Sequence, residues 1–105
     1  MNSVIKTWGP SKGTIIERNG MIVFLKQVKR KEHHMHVYKA WGFSKDIVDA
    51  MRLEGVELII LNVVDEGKYL RVDMDDFDKH VYLKQYNGYD AQYFLNDKYW
   101  TEDGM

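Results

Sequence analysis

Three histidines, His33, His34 and His36, crowd into four consecutive positions, and a fourth, His80, follows the carboxylates Asp73, Asp75, Asp76 and Asp78. On an extended strand His34 and His36 share a face, so two imidazoles could hold one divalent ion if a carboxylate completed the set. No local spacing brings an aspartate to them, and a metal-dependent hydrolase built on His34 and His36 ranks third among the readings below. The acidic stretch lacks the glycine and the closing glutamate of a calcium loop, and helix capping accounts for it better. Glu66-Gly67-Lys68 matches the acid-x-lysine letters of a magnesium nuclease but reads as a turn tip in water. Phosphate-cradling glycine loops, the H-E-x-x-H zinc motif and a nucleophile elbow are all missing from the chain. With no cysteine there is no thiolate ligand or cysteine nucleophile, which fits a reducing, cytoplasmic setting. Nothing in the residue pattern argues for an enzyme or implies a cofactor.

The stronger signal is charge. Residues 1–45 carry nine Lys/Arg and two acids, +7, whereas residues 46–105 carry six and fourteen, −8, inside a formal total of −1. Five of the cations, Lys26, Lys29, Arg30, Lys31 and Lys39, lie in one segment with His34 and Tyr38. The segment is expected to run strand–turn–strand. Lysines and arginines so placed meet phosphates and release counterions, and Tyr38 or His34 could contact a base. The leading expectation is therefore a nucleic-acid-binding or regulatory accessory module using Lys26, Lys29, Arg30, Lys31, His34, Tyr38 and Lys39. Its plain competitor is a solvated, solubilising turn.

The acidic half suggests a second class. Tyr86, Tyr89, Tyr93 and Trp100 are interleaved with carboxylates, and such aromatics anchor protein interfaces. A protein-interaction or inhibitor module docking on a basic partner is the alternative. Self-association is a further expectation, since a small sheet with an unpaired edge offers a route to it.

These residues need a scaffold, and 105 residues with 45% hydrophobic content suffice for one domain, 1–105. No apolar run approaches the roughly 18 residues of a membrane span, and the N-terminus shows no secretory pattern. Asn19-Gly20 between Thr14–Arg18 and Met21–Val28 predicts a tight hairpin, because both central residues of that turn need positive φ. A third strand is expected over His34–Trp41, with Trp41 in the core. A helix should then begin after an N-capping Ser44, bury Ile47, Val48, Ala50, Met51 and Leu53, and stop at Gly55. Val56–Val64 reads as a strand buried on both faces, turning at Asp65–Lys68 into Tyr69–Val72. Beyond it come a short helix within Asp73–His80, capped by Asp73 or Asp75 with Phe77 inward, and a hairpin around Asn87-Gly88. The expected fold is α+β, β-β-β-α-β-β then a short helix and a hairpin. It amounts to a mostly antiparallel sheet of about five to seven strands with one main helix packed on it.

The segments His36–Ser44, Leu53–Val56 and Gln92–Trp100 resemble small proteins carried by phages and other mobile elements. The resemblance spans about half of the chain, implies no defined activity and transfers no residue role.

Overall fold

The computed structural model describes residues 2–31, 39–85, 88 and 90–103. Its first strands are β1 (Asn2–Thr7), β2 (Thr14–Arg18) and β3 (Met21–Val28). Asn19 and Gly20 take φ of 53° and 81°, and Arg18 pairs with Met21, so the hairpin closes through the expected two-residue turn. Next come β4 (Ala40–Ser44), α1 (Lys45–Leu53), β5 (Leu58–Val63), β6 (Lys68–Asp73) and α2 (Met74–His80). The chain ends with β7 (Tyr82–Lys84), β8 (Gln92–Asn96), a 3-10 turn (Asp97–Tyr99) and β9 (Thr101–Glu102).

The fold is α+β and mostly antiparallel, as expected, but the strands divide between two sheets. Six run in the order β1-β2-β3-β5-β6-β9, and three form a smaller sheet, β4-β8-β7. The pairing of β3 with β5 is the parallel one, bridged by β4 and α1. Alternation along β3, β5 and β6 sends Phe24, Val28, Ile59, Leu61, Val63, Leu70 and Val72 into the main core. There they meet Ile47, Val48 and Met51 of α1, Met74 and Phe77 of α2, and Trp41, Phe43 and Leu95 of the small sheet. Phe43 sits at the centre, edge-on to Phe77 at 5.4 Å and stacked on Trp100 at 6.1 Å. At the sheet edge β1 carries a bulge between Val4 and Lys6, a device that discourages edge-to-edge pairing.

Several expectations need correction. The third strand is described only from Ala40, and it continues to Ser44 because Gly42 and Phe43 pair with Phe94 and Tyr93 of β8. Ser44 occupies the N-cap position of α1, but its hydroxyl accepts no N–H of the first turn; the Lys45 N–H donates to the Ala91 carbonyl at 3.1 Å. Neither does Asp73 cap α2 with its side chain. Leu53 is 86% exposed, because α1 ends there and turns away from the core. That end is closed as anticipated, with Gly55 N–H on the Arg52 carbonyl and Val56 N–H on that of Met51. No described helix is long and apolar enough to cross a membrane.

Candidate functional site

The basic segment leaves β3 at one end of the large sheet, where the β5–β6 turn and the 3-10 turn also lie. Val64 N–H donates to the Val28 carbonyl at 3.0 Å and Asp97 N–H to that of Lys39 at 2.8 Å, tying the three connections together. Arg30 is the hub. Its Nε donates to Glu66 Oε1 at 2.8 Å and its Nη1 to Asp97 Oδ2 at 3.0 Å. The guanidinium carbon lies 5.3 Å from the Trp41 ring centre, and Trp41 Nε1 donates to the other Asp97 oxygen at 3.1 Å. A planar fork on an aromatic face, holding carboxylates from two segments, is a use of arginine that lysine cannot copy.

Asp65, Glu66 and Glu102 at this end are engaged as well. Asp65 accepts the N–H groups of Arg30 at 2.9 Å and Lys31 at 3.1 Å. Those donations, Arg30 first, hold the Asp65 carboxyl below its ordinary range. The Arg30 hydrogen bond does the same for Glu66. Glu102 is paired with Lys68 at 3.2 Å, which raises the pKa of that lysine.

The basic residues singled out in the sequence therefore separate into three groups. Arg30 is turned into the carboxylate network rather than presented to solvent. Lys26 Nζ donates to the Gly42 carbonyl at 2.7 Å and lies 4.8 Å from the Phe43 ring centre, fastening the two sheets together. Lys29, Lys31 and Lys39 are exposed, and among the described residues none has an ion-pair partner. Lys98 joins them. It is exposed on the 3-10 turn, directly after the Asp97 that binds Arg30 and the Lys39 carbonyl, with its ammonium 5.1 Å from the Tyr99 ring centre. Reading the charge run as one contiguous segment missed Lys98. No sequence signal places Lys98 there, because Asp97 meets Arg30 and Trp41 only in the folded chain.

The remaining candidates divide similarly. His34, His36 and Tyr38 fall outside the described residues, as do Tyr86 and Tyr89. Trp100, expected as an interface anchor, is buried in the core: it is 7% exposed and packed on Phe43, with its Nε1 3.5 Å from the Leu95 carbonyl. Tyr93 is half-buried under the guanidinium of Arg52 at 5.1 Å. Among the described residues no cluster of three His or carboxylate side chains could hold a metal ion. No protein-family model, curated protein or solved structure shows significant similarity to this chain.

Proposed function

We propose that the protein is a binding module for nucleic acid, with the ammonium groups of Lys29, Lys31, Lys39 and Lys98 meeting backbone phosphates. The observation that supports this reading is the placement of these four exposed lysines, from two distant segments, on connections tied together at one end of the sheet, where Asp65, Glu66, Asp97 and Glu102 are already engaged. Engaged carboxylates screen such a cluster less than free ones do, because their charge is shared with Arg30, Lys68 and main-chain N–H groups. The role is thus carried by fewer residues of the Lys26–Lys39 segment than charge alone suggests, with Arg30 and Lys26 as its frame.

Binding of a fluorescein-labelled oligonucleotide, followed by anisotropy across a salt series, tests the reading. Four phosphate contacts give a slope of log K against log salt of about −3.6 on duplex and about −2.8 on single strands. The Lys29→Ala/Lys31→Ala/Lys39→Ala/Lys98→Ala variant should keep its fold, since all four side chains lie at the surface, and lose that slope. No salt-dependent binding by the wild type, or undiminished binding by the variant, overturns the proposal.

A further inference from the structure

The outward face of the large sheet has a patterned chemistry of its own. Val23, Leu25 and Gln27 of β3 point there, beside Leu58, Ile60 and Asn62 of β5 and Tyr69 of β6. A cleft of about 370 Å³ opens on this face with Leu25 and Ile60 in its floor. Gln27, Asn62 and Tyr69 form a cross-strand row at its end, Gln27 in register with Asn62 and Asn62 with Tyr69. Among the described residues, none of these three side chains makes a hydrogen bond, ion pair or ring contact. Two carboxamides and a phenol thus stand together with their donors and acceptors unspent on protein, against an aliphatic floor.

The row also lies at the lysine-bearing end of the sheet. Lys29 follows Gln27 by two positions, the spacing that keeps a side chain on one face of an extended strand. We infer that this cleft receives one unpaired base of a single-stranded nucleic acid. Gln27 and Asn62 hydrogen-bond its edge, Tyr69 lies against its face, and the neighbouring phosphates rest on the lysines. Carboxamides match the paired donor and acceptor edges of bases, and an aromatic ring gives stacking that tolerates any sequence. A recessed site selects the single strand: a base in a duplex stays in its stack and cannot enter a cleft, whereas a strand with splayed bases delivers one without an unpairing cost.

This inference rests on the nucleic-acid reading above, and the probes separate the two. Anisotropy is measured with a single strand of roughly 12 nucleotides, the same strand made abasic, and the corresponding duplex, compared at each point of one salt series. The expected order is single strand tightest, with the abasic strand and the duplex roughly tenfold weaker or more. Asn62→Leu, which keeps volume and removes the amide, and Tyr69→Ala should each weaken the single strand roughly tenfold. Both should leave the salt slope and the abasic affinity unchanged. Gln27→Ala, at an exposed position, repeats the test where folding is not at risk. Salt-dependent binding without preference for the base-bearing strand, or indifference to all three substitutions, overturns the inference and leaves the lysine reading standing. Absence of any binding overturns both.

Discussion

Lys29, Arg30 and Lys31 are neighbours in sequence and interchangeable by charge, yet they play different parts. The difference originates 67 residues away, where Asp97 supplies one oxygen to Arg30 and the other to the Trp41 indole. Only a guanidinium spans Glu66 and Asp97 while lying on an indole face, so Arg30 turns inward and its neighbours stay in water. Sequence gives no view of this, because the decision depends on a partner that only the folded chain brings near. The Arg30–Asp97 side chains are 28% and 37% exposed, which places a simple pair between about 0.2 and 1 kcal/mol. Sharing Asp97 with Trp41 should bring the coupling to about 1 kcal/mol. A double-mutant cycle on Arg30→Gln and Asp97→Asn by urea unfolding measures it, and additive losses would show that the two groups do not work as a unit.

Elements were legible where the information is local. Asn19-Gly20 needs only its own φ preferences to fold the β2–β3 turn, and Gly55 needs only the preceding helix to end it. β1 was not legible, since Asn2–Thr7 alternates weakly and is defined by pairing with β2. Division into two sheets was hidden for a related reason: β4 and β8 are about fifty residues apart, and nothing in either run names its partner. The loop between β1 and β2 shows how a long-range fit can fix a local choice. It is closed by Gly13 N–H on the Gly9 carbonyl, and Gln27 N–H donates to the Pro10 carbonyl. Gly13 has φ of +133°, and a Cβ there would overlap the edge of the Phe24 ring, 2.0 Å from its Cζ, and that ring is fully buried. Gly13→Ala combines backbone strain with displacement of a core aromatic and should cost about 3 kcal/mol. Gly20→Ala meets open space and carries backbone strain alone, about 1 kcal/mol. Chemical denaturation of the two variants checks the order; equal losses would mean that the Phe24 contact relaxes without penalty.

At the scale of the molecule, the +7 and −8 halves do not simply cancel. Arg52–Asp78, Lys68–Glu66, Lys68–Glu102 and Arg71–Asp73 pair within the acidic half, while Arg30, with Glu66 and Asp97, and Lys45, with Asp49 on the same helix, make ion pairs between the halves. Charge segregation was legible from composition; its focus at the Arg30 end was not, because it depends on which turns meet there. That junction should also set the response to acid. Asp65 and Glu66 titrate below their free values of 3.8 and 4.5, so their contribution is complete above that range and drains away as pH falls through the depressed values. Lys68 has the opposite sign: raised above 10.5, it contributes fully below that pH and is lost on further alkalinisation. Thermal melts from pH 7 down to about pH 3 should therefore show a fall in Tm that steepens below about pH 4. An Asp65→Asn/Glu66→Gln variant should melt lower than the wild type at pH 7 and lose less on acidification, because two of the linked protons are gone. Parallel curves for the two proteins would mean that acid sensitivity arises elsewhere in the acidic half, and that the three turns are held together by Asp97 and main-chain contacts alone.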